Sequence, residues 1–236
     1  MSNLDWPRIL EFVAVVVSVW LLTGALKVVG RLSCDVARKV NHALALAGGA
    51  VWFGWLPAAS AEASGYAASG LLLVLVGLTC VFRDRTPFRF AFLANTRKTD
   101  SPHEALYFWS SWFVSMAGLA GVQLVLGDIV ITRTAALLVG IGDGIAEPVG
   151  RRWGRHRFQV PSLTRGKLAS RSAEGCVAVF ASCFLTLLGC FGLMSAPAAA
   201  AISLVVTLVE AISPHGLDNL TIPVASAVVL HHFRIV

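Results

Sequence analysis

Charge is what this sequence has little of. Only 14% of its 236 residues are Asp, Glu, Lys or Arg, against about 25% in an average soluble domain, too few to cover a water-facing surface. The hydrophobic share is 56% and the mean hydropathy is +0.74, so the long apolar runs read as membrane spans of roughly 20 residues each. The five cysteines form no CxxC pair and no Cys/His cluster at zinc spacing, which excludes a zinc ribbon or a thioredoxin-like redox motif. Cys176, Cys183 and Cys190 recur every seven residues and read as small thiols packed on one helix face. No G-x-x-x-x-G-K-[ST] loop occurs, because Gly166-Lys167 lacks the earlier glycine and the following hydroxyl. Gly140-x-Gly142-x-Gly144 does not match the dinucleotide fingerprint, and neither a G-x-S-x-G elbow nor an H-E-x-x-H helix is present. No small-residue cleavage site follows the first apolar run, which therefore reads as a retained span rather than a signal peptide.

What is present is a series of apolar runs. A lipid-exposed backbone must satisfy its own hydrogen bonds, so the runs are read as helices. Eight are expected, at approximately 9–28, 40–58, 66–82, 105–126, 129–147, 174–193, 196–213 and 219–235. The expected fold is all-α: a polytopic, multi-pass membrane helix bundle forming a single integral membrane domain over residues 1–236. The formal charge is +6, but no soluble basic domain carries it, so nucleic acid is not an expected partner. The loops after spans one, three and five hold 16 of the 19 Lys and Arg residues. All three follow odd-numbered spans and so share a side, which the positive-inside rule makes cytoplasmic. Asp143, Glu147, Glu174, Glu210 and Asp218 fall at or near span ends on that same side.

The richest segment runs from Gly140 through Asp143, Glu147 and Gly150 to Arg151, Arg152 and His156. A carboxylate at the bilayer centre costs about 2.5–3.5 kcal/mol on insertion scales, so acids retained in a span ask for a reason. Asp143 and Glu147 are four residues apart and face one way on a helix. Such a pair suits Mg²⁺, which takes one or two carboxylates together with phosphate oxygens and water; the alternative is two acids at the wet end of a span. Ala136, Gly140 and Gly144 form a small-residue stripe open to close helix approach. The loop from Arg151 to Arg171 holds seven basic residues, whose guanidinium forks and ammonium groups suit phosphate oxygens or anionic headgroups. Glycines 150, 154 and 166 would let a polyphosphate approach the backbone. Ser172 and Glu174 open span six, either as an anion site or as a helix-dipole acid. Asp218 and Asn219 fit caps of span eight, but Glu210 lies inside the preceding apolar run and reads as a second metal or nucleotide contact. Arg38, Lys39 and His42 open span two on the same side.

Taken together these segments resemble the phytol kinase and dolichol kinase family of membrane prenol kinases, which includes CTP-dependent diacylglycerol kinases. The resembling parts are Arg38-Lys39-x-x-His42, Gly142-Asp143 through Glu147, Gly150-Arg-Arg-Trp-Gly and Arg155-His156. Lys167 with Arg171-Ser-Ala-Glu174-Gly175 is similar to a basic K-x-x-E-G stretch, and Gly216-Leu-Asp218-Asn219 through Pro223 to a G-x-D-N-x-x-x-P ending. Arg171 stands where a Lys is expected. The resemblance is dense over residues 140–223, the expected catalytic part. It implies CTP as phosphoryl donor, Mg²⁺, and a long-chain isoprenoid or related lipid alcohol as acceptor, with membrane lipid around the site. On this reading Asp143, Glu147 and Asp218 hold the metal, with Glu210 and Glu174 in support. Arg151, Arg152, His156, Lys167, Arg171 and Asn219 meet the nucleotide. The catalytic set is Asp143, Glu147, Glu174 and Asp218, and the carboxylate that takes the alcohol proton is left open. Ser213-Pro-His-Gly-Leu-Asp218 is also similar to the ending of CDP-diacylglycerol synthases, which makes a lipid cytidylyltransferase the alternative. A non-enzymatic transporter with an ion-coupling acid pair is the alternative of another class.

Overall fold

Apolar periodicity accounts for most of the chain's regular structure. The computed structural model describes residues 4–97, 100–162, 168–190, 195–214 and 216–233 and is 81% helical. In chain order it contains α1 (Trp6–Val28), α2 (Cys34–Ala43), α3 (Gly49–Trp52), α4 (Ala58–Val81), α5 (Phe88–Asn95), α6 (Glu104–Leu126) and α7 (Ile129–Trp153). Then follow β1 (Arg157–Pro161), β2 (Leu168–Ser172), α8 (Ala173–Cys190), α9 (Ala196–Ile212) and α10 (Asp218–His232). α1, α4, α6 and α7 are long and apolar enough to cross a membrane, and α8 and α9 are shorter apolar helices. The all-α polytopic bundle is therefore observed, and the chain is an integral membrane protein.

Each expected span corresponds to helix. The second is a composite: α2 runs through a π-helical turn, Leu44–Gly48, into α3 and a final 3₁₀ turn, Phe53–Trp55. Two elements were not expected. α5 lies in the basic loop after the third span, and β1 and β2 pair antiparallel as a hairpin in the loop after the fifth.

The contacts divide the chain into two compact units, Met1–Met116 and Ala117–Val236. In the first, α1 packs against α2, α4 and α5. Asp5 caps α1 by accepting the Arg8 N–H at 3.1 Å, with Pro7 in the first turn. Ile9, Phe12, Val16 and Trp20 then form a buried stripe at helical spacing. Phe12 meets the edge of Phe53 at 5.3 Å and Trp20 that of Trp112 at 5.2 Å, ring centre to ring centre. Lys27, in the last turn of α1, donates to the carbonyls of Leu93 and, at 2.8 Å, of Thr96, just beyond α5. Arg97 pairs with Asp35 of α2 at 3.3 Å. The first two basic loops thus meet at one end of this unit.

In the second unit α7 is the inner helix: 67% of its apolar window is buried, against 28–33% in the other three long spans. Gly127 adopts a left-handed φ of 65° to turn the chain from α6. Asp128 then caps α7 by accepting the Val130 and Ile131 N–H groups at 2.8 and 3.2 Å. α8 and α10 pack on α7, and α9 packs on both α8 and α10. The seam toward α8 runs through Gly142, Ala146 and Gly150, where added Cβ atoms at Gly142 and Gly150 would stand 3.1 Å from Cys183 Sγ and 2.9 Å from Ser172 Oγ. It is a different small-residue stripe from Ala136–Gly140–Gly144.

Backbone proximity makes Gly24 a sharp test of the first unit, because a Cβ there would collide with the Phe90 carbonyl. Gly24→Ala is expected to destabilise the purified protein by about 1–3 kcal/mol, the usual cost of overpacking. Gly65→Ala, in the open on α4, is expected to leave the thermal melting point in detergent unchanged or slightly raised. Equal melting points for the two variants would contradict the packing.

Candidate functional site

The acids and bases of the second unit gather where α7, the hairpin, α8, α9 and α10 adjoin. α7 continues one and a half turns past the expected span end to Trp153, so Asp143, Glu147 and Arg151 occupy successive turns of one helix. Asp143 is buried, with 5% of its surface exposed. Glu147 pairs with Arg151 at 3.1 Å. Arg152 is exposed, its guanidinium 5.2 Å from the Trp153 ring centre. Pro148 sits inside α7 and supplies no N–H, so the Gly144 carbonyl loses its usual helical donor beside Asp143.

The hairpin fixes the next group. Arg157 pairs with Ser172 and Phe158 with Arg171, so alternate residues face opposite ways. Ser172 turns toward α7 and caps α8, its Oγ accepting the Gly175 N–H at 3.1 Å. That hydroxyl is committed to the helix start, and Gly150 and Gly154 are the glycines that make room for it. Their missing side chains serve helix packing here, where polyphosphate approach was expected.

Arg171 carries the strongest electrostatics. Its side chain is 12% exposed and its guanidinium pairs with Glu210 of α9 and with Asp218 of α10, the latter at 3.4 Å. It also donates to the Ser213 carbonyl at 3.3 Å. Glu210 is 3% exposed and Asp218 6%, so two buried carboxylates from adjoining helices share one buried cation. Asp218 was expected to fit a cap of span eight, and it stands instead in the first turn of α10 facing Arg171. α10 begins at Asp218 without a side-chain cap, and Asp218 Oδ1 accepts the N–H of the buried Asn219 at 3.0 Å. Ser213 and Thr221 hydroxyls join at 2.6 Å and tie the α9–α10 turn.

His156 and Glu174 meet across the base of the hairpin. Nδ1 lies 2.8 Å from Glu174 Oε1, and the His156 backbone N–H donates to both carboxylate oxygens at 3.2 and 3.3 Å. The sequence reading placed these residues in separate roles, and their 18-residue separation hides the contact.

Lys167, with Arg165 and Gly166, lies outside the described residues, as does His215. Arg38, Lys39 and His42 belong to the first unit. Lys39 is 5% exposed. His42 lines a small cleft with Ala45, Leu46, Ser111, Trp112, Ser115 and Met116, beside the π-helical turn. Among the described residues no three His, Cys, Asp or Glu side chains close to metal-holding distance.

No protein-family model and no solved structure matches the chain. Among curated proteins it is similar to a phytol kinase of Synechocystis sp., 33% identical over 119 residues, which cover 49% of this chain and 50% of that protein. The chain spans about half the length of the relative it matches. The similarity is in line with the motif resemblance.

Removing one partner of a buried charge cluster leaves the others uncompensated. Arg171→Gln is expected to cost about 3–5 kcal/mol of stability, measured by denaturation in detergent. Glu210→Gln combined with Arg171→Gln is expected to recover part of that loss. Strict additivity of the two single substitutions would show that the groups do not interact.

Proposed function

We propose that the chain is a membrane-embedded lipid alcohol kinase that transfers the γ-phosphoryl group of CTP, with Mg²⁺, to the hydroxyl of a long-chain isoprenoid or related lipid alcohol at the cytoplasmic membrane face. The observation that carries the reading is the similarity to a phytol kinase, joined to the placement of the described family-like motif residues between 142 and 223 on one group of elements in the second unit. Phosphoryl transfer asks for positioning and charge neutralisation more than covalent chemistry, and the site is made of acids and guanidiniums.

The residues fit magnesium by donor type. Asp143, Glu147, Glu210 and Asp218 are hard oxygen donors, and Mg²⁺ needs only one or two of them when phosphate and water complete the shell. Glu210 and Asp218 meet at Arg171, so hard oxygen donors stand beside a guanidinium that suits phosphate oxygens. Bound there, the metal would supply charge neutralisation on the phosphate oxygens and stabilise the leaving group.

The chain's own residues would do the rest. Arg151 and Arg152 extend from the end of α7 toward an anionic ligand, and Lys167 would add a point charge. Arg171 has a second use beyond holding Glu210 and Asp218, since its fork matches a phosphate edge. Gly144 and Pro148 leave a carbonyl free near Asp143 to orient water or the alcohol. The isoprenoid tail would lie against apolar helix surface, of which Val177 and Leu185 on α8 are examples, each 67% exposed. The basic loops orient the site toward the cytoplasm by the positive-inside rule.

The purified protein with Mg²⁺, phytol and CTP labelled at the γ-phosphate is expected to yield labelled lipid, and chelation is expected to stop it reversibly. A lipid cytidylyltransferase would instead release pyrophosphate and keep the α-label. Asp143→Asn is expected to lower kcat by roughly 10²–10³-fold, the loss typical of one electrostatic stabiliser, while remaining folded. No labelled product from phytol, polyprenol or diacylglycerol with any nucleotide would refute the kinase reading.

A further inference from the structure

We propose that His156 is the proton acceptor for the lipid hydroxyl and that Glu174 is its positioning residue; the assignment rests on the kinase reading above. The family resemblance left this step to one of the carboxylates. The geometry points to the imidazole.

Three contacts hold the pair. The carboxylate of Glu174 receives Nδ1 at 2.8 Å and the His156 backbone N–H on both oxygens. The His156 carbonyl in turn accepts the Ala173 N–H at 3.0 Å, which locks the first strand's start to the first turn of α8. With Nδ1 facing a carboxylate, the ring proton belongs on Nδ1 and the lone pair on Nε2. The side chain is 83% exposed, so Nε2 is open to an incoming group. An acid that orients one ring nitrogen while the other takes a proton is the working arrangement of a general base.

Position supports the same role. Phe158 is the register partner of Arg171, and His156 lies two residues before Phe158. The His156 carbonyl's bond to Ala173 puts His156 at the base of the hairpin whose second strand carries Arg171. Three of the other acids are paired, Glu147 with Arg151 and Glu210 and Asp218 with Arg171, and Asp143 is buried in α7.

In the step itself, the alcohol oxygen bonds to the γ-phosphorus as its proton passes to Nε2. The bond from that phosphorus to the β–γ bridging oxygen breaks, and the nucleoside diphosphate leaves with the electron pair. The imidazolium then returns its proton to water.

The test uses the full-length protein with labelled CTP and phytol. His156→Ala is expected to lower kcat by roughly 10²-fold or more, with the nucleotide KM within about twofold of wild type and an unchanged melting point. Added imidazole is expected to restore a substantial part of that loss, which a purely structural role would not permit. His156→Gln, which keeps a polar partner for Glu174, is expected to be as inactive as His156→Ala. Glu174→Gln is expected to lose about 10-fold and to gain nothing from imidazole. Wild-type kcat in His156→Ala, a raised nucleotide KM with kcat intact, or an inactive variant that imidazole cannot restore would each overturn the assignment. A wild-type protein that phosphorylates no alcohol would instead overturn the kinase reading.

Discussion

A single buried guanidinium organises the second unit. Arg171 enters from the hairpin, and its partners lie on two other elements: Glu210 on α9 and Asp218 on α10. Either acid alone, in an environment nearly closed to water, would be expensive to keep charged. Sharing a cation lets both remain ionised, and it pins the end of α9 and the start of α10 to the hairpin. The two helices already pack side by side through small and polar residues, with Ser203, Thr207, Asn219 and Ser226 all buried. Such interfaces have little hydrophobic drive in lipid, so the charge cluster supplies specificity that apolar packing cannot. An ion cluster held this tightly is weak evidence of stability for its own sake. Its retention is more readily understood if the same groups also meet a charged ligand.

The hairpin is what makes that cluster possible. A flexible basic loop would place its arginines statistically, whereas a paired ladder places them by register. α7 carries Arg151 and Arg152 past the apolar segment, β1 leads away, and β2 returns with Arg171 one residue before the Ser172 cap of α8. Gly150, Gly154 and Gly175 let the hairpin base and α8 sit against α7 without intervening side chains. The geometry of the basic residues is thereby tied to helix packing, so a steric change at a glycine would also move charge.

The spans were legible because membrane helices announce themselves by length and composition, and the eight apolar runs correspond closely to helices. The acids at the span ends were legible for the same reason, since each stands out against an apolar background. The hairpin was not. Arg157-Phe-Gln-Val160 does alternate polar and apolar residues, but that signal is short and was outweighed by the density of basic side chains around it. α5 has eight residues, too few for periodicity to declare it. The π-helical turn after His42 has no composition of its own. Long-range pairings were equally hidden: Asp218 lies 47 residues beyond Arg171, and only the fold brings them together. Gly150 and Gly154 were expected as openings for a ligand, and the packing of both against Ser172 had no signal in the sequence.

That packing bears on how the proposed site would divide its labour. If the glycines near Arg151 serve packing, a proposed anion would be met by side chains, and the side chains on hand differ in exposure. Arg151 and Arg152 are surface groups on the last turn of α7, Arg151 paired with Glu147 and with 58% of its side chain exposed. Arg171 is held by two acids and a carbonyl. On the proposed reading, a buried cation flanked by carboxylates would suit the reacting phosphate, where small displacements cost rate, and the surface arginines would suit the remainder of a polyphosphate chain. His156, one residue before β1, is anchored by Glu174 at the base of the same hairpin. On the proposed reading, a proton acceptor at the hairpin base and a phosphate-binding cation on β2 would be tied to one supersecondary unit, which would position the alcohol oxygen and the phosphorus relative to each other without requiring the helices to move.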